Sequence, residues 1–255
     1  MEWEAPGLVL DGRAYGEGDL IVSVFTEEHG VHRGLARGGA SRGRAASWQA
    51  GNLLHLRWVG RLPDQLGSIT GEVIQATAAS AMAEAGPLAL LRAACAVAAG
   101  ALPEREGHPR VFLGLLRLLA GAGAGVATAG DLARWEMTLL ADLGYGLDIT
   151  QCAVTGATDD LHYVSPRTGR AVAKAAVGIW RERLLRLPPF LRDPEASGDD
   201  TEWRDALRLT GHFLERDAFG HQHRPLPEPR RHLYETLDAA IRSRSVPVAP
   251  GGADA

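Results

Sequence analysis

Six arginines lie close together in the sequence, in a stretch from Val31 to Pro63 that contains no acidic residue. They are Arg33, Arg37, Arg42, Arg44, Arg57 and Arg61. The whole chain of 255 residues carries a formal net charge of -4, so positive charge is concentrated in this stretch. Clustered guanidinium groups neutralise the phosphates of a nucleic acid without reading its bases. The pattern therefore predicts a DNA-binding surface, and the alternative is a solvated edge that is kept basic for solubility.

Two ring side chains of the same stretch, His32 and Trp48, have the chemistry to stack on nucleic-acid bases. A base stacked on an aromatic ring contributes about 1 to 3 kcal/mol to binding. Aromatic rings also serve as large apolar core residues. For Trp48 we favour packing in the core or at its rim over base stacking.

Thiol and imidazole groups supply two weaker candidates for chemistry. Cys152 with His162 has the residue types of a thiol nucleophile and its base, because a nearby base favours the thiolate. No third orienting group or oxyanion motif accompanies them. His221 and His223, with Asp217 one turn earlier, have the residue types of a metal site, but two histidines one residue apart in a polar loop usually bind nothing. We therefore predict no catalytic residue, no metal and no cofactor.

Composition limits the class of protein. A hydrophobic content of 45% over 255 residues is enough to bury a core, and the length favours one or two domains, of which we expect two. The longest uncharged run, from Leu118 to Gly130, is shorter than the roughly twenty apolar residues of a membrane-spanning helix. The first residues do not have the order of charges of a signal peptide. With only Cys95 and Cys152, no disulfide framework is expected, so we predict a cytoplasmic protein without a membrane partner.

The basic stretch belongs to a region whose pattern is entirely β. From Asn52 to Val59, apolar Leu54, Leu56 and Trp58 alternate with polar residues, which indicates a half-buried strand. The predicted strands are Leu8–Leu10, Leu20–Thr26, Val31–Leu35, Asn52–Val59 and Ser68–Thr77. Residues 11–19 between the first two are predicted to form a turn. Five short strands with glycine-rich turns favour a five-stranded oligonucleotide-binding barrel (OB-fold) over an open sheet with exposed edges.

Near Ala78 the sequence becomes rich in alanine and leucine, and the hydrophobic period changes from two to about 3.6 residues. We therefore predict an α+β multidomain chain: a barrel over residues 1–78, a mainly α-helical domain over residues 79–245 with a loop-rich insertion at about residues 147–173, and a disordered tail over residues 246–255. The predicted helices are Met82–Ala101 (or two helices split at Gly86-Pro87), Pro109–Ala120, Thr128–Leu143, Ala171–Leu187, Thr201–Phe219 and Pro229–Arg244. Thr128 with Asp131 predicts a capping box, and Gly121–Gly125 a flexible connection.

Two segments resemble a known family. The first is Val24–Gly30, with Ala36–Gly39 after it, and the second is Glu136–Asp148, which leads to Cys152. Together they resemble the RecO family of DNA repair and recombination mediators, and the likeness extends from about Glu2 to Ile241. It implies an N-terminal OB-fold barrel, a helical C-terminal domain and no enzymatic activity.

The resemblance also implies a function in the RecF recombination pathway. Such proteins bind single- and double-stranded DNA and anneal complementary strands. They contact the acidic C-terminal tail of the single-stranded DNA-binding protein, and with RecR they help to load the RecA recombinase. On these grounds we expect a nucleoid-associated protein. A basic residue near the start of the Thr128–Leu143 helix is associated with tail binding, which points to an exposed Arg134 with Trp135 or Leu139 lining a pocket. The alternative is an ordinary surface arginine.

Many members of the family carry a four-cysteine zinc site in the insertion, and this chain departs from that pattern. Cys152 stands at the position of the first ligand, but Thr155 stands at its C-x-x-C partner position, and no cysteine follows Cys152. A tetrahedral zinc site needs four donors. We therefore predict no structural zinc.

Two other functions remain open from the sequence. The first is a protein-binding adaptor whose barrel does not contact DNA, which the overall acidity supports. The second is an enzyme that uses Cys152. Binding of labelled single-stranded DNA across a salt series distinguishes a DNA-binding protein from an adaptor.

Overall fold

A closed barrel of five strands forms the N-terminal part of the computed structural model, which describes residues 1–61 and 65–245. The strands are β1 (Glu2–Tyr15), β2 (Asp19–Thr26), β3 (Gly30–Ala36), β4 (Leu53–Val59) and β5 (Gly67–Gln75). They follow the order β1-β2-β3-β5-β4, and the antiparallel pair of β1 with β4 closes the ring. Side chains such as Val24, Leu54 and Leu56 fill its interior. The predicted five-stranded barrel is confirmed.

Strand β1 is much longer than the predicted Leu8–Leu10. Its first half pairs with β4, and its second half pairs with β2 out to Tyr15 opposite Asp19. The turn predicted from Asp11 to Asp19 is therefore too long, because residues 11–15 are strand and only residues 16–18 form the turn. Turn-forming residue types are overridden here by antiparallel pairing with β2, which gives this backbone its hydrogen-bond partners.

Six α-helices follow within residues 65–245. They are α1 (Thr77–Ala81), α2 (Ala85–Ala101), α3 (Pro109–Gly123), α4 (Ala129–Asp142), α5 (Asp200–Phe213) and α6 (Glu228–Ser245). The predicted capping box is present at α4, where Asp131 N donates to Thr128 Oγ1 at 3.2 Å and Thr128 N donates to Asp131 Oδ2 at 2.8 Å. Helix α3 continues to Gly123, so the flexible connection predicted from Gly121 begins too early. Burial of Leu118 and Ala122 keeps this segment helical.

The segment between α4 and α5, which contains the predicted insertion, forms a small sheet. Its strands are β6 (Leu161–Val164), β7 (Ala171–Ala173) and β8 (Leu185–Arg186), in the order β7-β6-β8. The helix predicted from Ala171 to Leu187 is wrong, because this segment consists of β7, 3₁₀ turns and β8. All three residues of β7 are buried against β6, and this packing overrides the helical propensity of alanine.

One hydrophobic core joins the barrel to the helices. Leu8, Leu10 and Phe25 of the barrel belong to the same buried cluster as α2 and α3, and the rings of Phe25 and Phe112 meet edge to face at 5.4 Å. In the described parts of the chain, no helix is both long and apolar enough to cross a bilayer. The tail predicted to be disordered, residues 246–255, lies outside the described residues.

Candidate nucleic-acid interface

The loop between β3 and β4 carries three of the predicted DNA-binding arginines, and its backbone has a defined fold. Ala40 N donates to Gly18 O at 3.0 Å, and Gly38 N donates to the carboxylate of Asp19 at 2.7 Å. At the other end of the loop the buried Asn52 amide donates to Ala46 O at 2.9 Å and accepts from Ala78 N at 3.0 Å. The loop is therefore tied to β2 on one side and to the first helix on the other.

Arg37 and Arg44 of this loop line a groove of about 520 Å³ on the outer face of β1, β4 and β5. Arg44 Nη1 donates to Arg37 O at 3.2 Å, which holds the two residues together. Arg42 is exposed on the same loop. None of the three has a carboxylate partner within residues 1–61 and 65–245. Their charges are available to an anionic ligand.

Arg57 lines the same groove, but it is paired. Its guanidinium lies 2.5 Å from Glu2 Oε1 and 3.5 Å from Glu4 Oε1. Both carboxylates come from β1, which the barrel register places beside β4 with Glu4 opposite Arg57. An exposed pair of this kind contributes only about 0 to 1 kcal/mol, so a phosphate can compete for the arginine. The acid-free stretch in the sequence therefore does not form an acid-free surface.

The six arginines do not lie on one surface, and that expectation is wrong. Arg33 lies on β3, 3.0 Å from Glu104, and lines a different cleft between the barrel and the helices. Arg61 is exposed just beyond β4. Tertiary structure thus separates a cluster that is continuous in the sequence, because neighbouring strands of a barrel face different sides.

Neither ring proposed for base stacking is exposed. Trp48 is 7% exposed and belongs to the barrel core, so packing is confirmed for it. His32 is 8% exposed and lies edge-on to Trp3 and Trp58, and burial lowers the pKa of its imidazole below the usual range. The stacking interpretation is therefore wrong for both residues.

Cys152 is not placed for nucleophilic catalysis. Its side chain is 2% exposed, and its Sγ accepts hydrogen bonds from the backbone N–H groups of Val154, Thr155 and Ala173 at 3.3 to 3.5 Å. Burial opposes ionisation of the thiol, but these donors outweigh it and lower the pKa of Cys152 to about 7. His162 pairs with Asp160 at 2.9 Å instead of with the sulfur. The predicted pair of thiol and base is therefore not formed between Cys152 and His162.

The insertion does not fit the zinc site that the family resemblance implies. Backbone N–H groups surround the Cys152 sulfur. Among the residues that the structure describes, no three His, Cys, Asp or Glu side chains are grouped to hold a metal ion. His221 stacks on Tyr145, with ring centroids 5.8 Å apart.

The residues predicted to receive an acidic tail are positioned differently from the prediction. Arg134 is half-buried, and it donates to Phe190 O at 3.0 Å and to Ala196 O at 2.7 Å. Leu139 is fully buried, so of the two side chains predicted as alternatives for the pocket wall only Trp135 remains. Arg134 instead fastens the segment before α5 to helix α4.

A groove of about 640 Å³ between α3 and α4 nevertheless has the features of a peptide site. Trp135 and Arg134 form part of its wall, and Arg110 and Arg117 of α3 are exposed along it. Leu113 and Val126, which are 39% and 72% exposed, add apolar surface. The two arginines of α3 were not predicted from the sequence as site residues. Their spacing of seven residues, which puts both on one face of a helix, is the signal that could have found them.

Comparison with known proteins agrees with this architecture. The family model described as Recombination protein O N terminal matches residues 1–77, and the one described as Recombination protein O C terminal matches residues 86–227. A protein named DNA repair protein RecO from Acidiphilium cryptum is 56% identical over 240 residues, which cover 93% of this chain and 96% of the relative. Proteins of the same name from Gluconacetobacter diazotrophicus and Rhodospirillum rubrum are 54% and 43% identical, over 94% and 93% of this chain and 96% of each relative. A barrel followed by a helical domain, together with matches over nearly its whole length, shows that the chain belongs to the RecO family of DNA repair proteins.

Proposed function

We propose that this protein binds single- and double-stranded DNA through the barrel groove and its loop, anneals complementary strands, and with RecR helps to load RecA onto DNA coated by the single-stranded DNA-binding protein. The main support is the position of Arg37, Arg42 and Arg44 on one folded loop at the groove, without carboxylate partners among the described residues. The proposal includes no enzymatic activity. Annealing requires only that the charges of two strands be screened while their bases pair.

Removing the three loop arginines tests this proposal. A variant with Arg37→Ala, Arg42→Ala and Arg44→Ala loses three phosphate contacts, so the slope of log affinity against log salt for single-stranded DNA becomes shallower by about 2. Near 0.1 M salt the same loss weakens binding by about a hundredfold. Fluorescence anisotropy with a labelled oligonucleotide across a salt series measures both quantities. Annealing of protein-coated complementary oligonucleotides is expected to slow in parallel.

The matched control removes the same charge from elsewhere. Arg167→Ala, Arg181→Ala and Arg208→Ala replace three exposed arginines of the insertion and α5. This control is expected to keep the wild-type salt slope. If the loop variant also keeps it and anneals normally, direct DNA contact by the barrel loop is rejected and the protein-binding adaptor becomes the better proposal.

The groove between α3 and α4 is our proposed site for the acidic tail of the single-stranded DNA-binding protein. Arg110 and Arg117 supply charge for the carboxylates, while Leu113 and Val126 supply a contact for an apolar side chain. Replacing both arginines by alanine is expected to weaken the binding of a tail peptide by about tenfold, since exposed charge pairs contribute up to about 1 kcal/mol each. Titration calorimetry measures this. The loop variant without Arg37, Arg42 and Arg44 is the reference for peptide binding. If the double variant binds the peptide with wild-type affinity, the groove is excluded as the tail site.

A further inference from the structure

Arg33 leads to a second basic surface that the sequence pattern did not indicate. It lines a cleft of about 830 Å³ between the barrel and the helical domain. Arg13 of β1 lies on the barrel side of this cleft, Arg92 of α2 on the other, and Arg224 and Arg231 flank the start of α6. Arginines that are up to about two hundred positions apart in the sequence thus meet on one surface.

The charge of this cleft is not neutralised by its own residues. Its lining contains five arginines and two carboxylates, Asp11 and Glu228. Arg13 pairs with Asp11, and Arg33 pairs with Glu104, each at 3.0 Å. Among the residues that the structure describes, Arg224 donates only to the oxygens of Gly100 and Gln222. Together with Arg92 and Arg231, both exposed, it has no carboxylate partner in the described part of the chain. The cleft therefore selects for an anion.

The chemistry of the lining favours a sugar-phosphate chain over an acidic peptide. Guanidinium groups bind phosphate oxygens in pairs of parallel hydrogen bonds. Leu10, Cys95 and Leu226 of the lining are buried, and Ile21 is partly buried. None of the large hydrophobic side chains that are exposed among the described residues lines it, whereas Leu113 and Val126 line the groove between α3 and α4. A peptide would find charge here but no large exposed hydrophobic side chain as an anchor.

The cleft and the barrel groove lie on different faces of the barrel. The groove is formed by the first half of β1 with β4 and β5, and the cleft is formed by the second half of β1 with β2 and β3. We propose that the cleft is a second polynucleotide site, so that one molecule holds two strands at once. This inference extends the proposed function, because it assigns the second strand of an annealing pair to the cleft.

Counting bound strands that cannot pair with each other tests the second site. Sedimentation velocity with fluorescent oligothymidine gives the number of strands per protein chain. Wild type is expected to bind two. The variant with Arg92→Glu and Arg231→Glu is expected to bind one strand, with the affinity of the groove. The milder variant with Arg92→Gln and Arg231→Gln replaces it if charge reversal disturbs folding, and it is expected to weaken strand binding at the cleft. The loop variant without Arg37, Arg42 and Arg44 is expected to bind one strand at the cleft.

The outcomes separate the two proposals. Two strands on both cleft variants, or one strand on wild type, would overturn the second site. The second site would also be overturned if the cleft variants no longer bind an acidic peptide but still bind two strands. If the loop variant retains two strands while the cleft variants bind one, the barrel groove fails and the cleft stands.

Discussion

Glu136→Gln is expected to lower the free energy of unfolding by about 3 to 5 kcal/mol, because it leaves the charge of Arg230 buried without its counterion. Arg230 is 1% exposed and Glu136 is fully buried, with Arg230 Nε 2.5 Å from Glu136 Oε1 and Nη2 3.0 Å from Oε2. Thr210 Oγ1 donates to the same carboxylate, and Arg230 also donates to Leu207 O at 2.8 Å. The network therefore joins α4, α5 and α6.

Chemical denaturation followed by circular dichroism measures this loss. A shift of about 2 to 4 °C in Tm per kcal/mol corresponds to a fall of roughly 10 °C or more for a chain of this size. The double variant Glu136→Met with Arg230→Met removes both charges, and it is expected to recover much of the loss because an apolar pair has no charge to desolvate. A single variant that is no less stable than the double variant would contradict this interpretation.

Gly30→Ala is expected to lower the free energy of unfolding by about 2 to 5 kcal/mol. Gly30 has φ +65°, a left-handed conformation that costs an L-residue about 1 to 2 kcal/mol. A Cβ at this position would lie 2.0 Å from the backbone oxygen of Glu106. Backbone must then move, and overpacking of this kind costs about 1 to 3 kcal/mol more.

Gly16→Ala is the matched control for this prediction. Gly16 has φ +62°, but an added Cβ would meet nothing within 4 Å. Its substitution is expected to cost only the backbone strain, so the difference between the two variants in urea denaturation reports the contact with the segment at Glu106. Equal losses for Gly16→Ala and Gly30→Ala would show that this close approach does not contribute.

The contact at Gly30 also joins the barrel to the connection between α2 and α3. Arg105 N donates to Val31 O at 2.9 Å, directly beside Gly30, so the connection after α2 packs against the start of β3. The turn before Gly30 lies between two strands that the sequence predicts, Leu20–Thr26 and Val31–Leu35. Its partner segment was not predictable, because about seventy residues separate the two in the chain.

Errors of the sequence analysis occurred where local preference and tertiary packing disagreed. The alanines of β7 favour a helix in isolation, yet three-stranded pairing buries them. Arg134 lies on the polar face of an amphipathic helix, yet its guanidinium donates hydrogen bonds to the carbonyl groups of Phe190 and Ala196. A pattern of one segment carries no information about which distant backbone covers it.

By itself, the sequence determined the barrel, most helices and the presence of concentrated positive charge, because these depend on the periodicity and type of residues close together in the chain. Tertiary structure alone decided which arginines share a surface. Barrel register places Glu2 and Glu4 beside Arg57, the outward direction of β3 moves Arg33 to the cleft, and folding of the helical domain brings Arg92 and Arg231 to join it. Electrostatic interactions depend on distance in space, which a linear count of charges does not give.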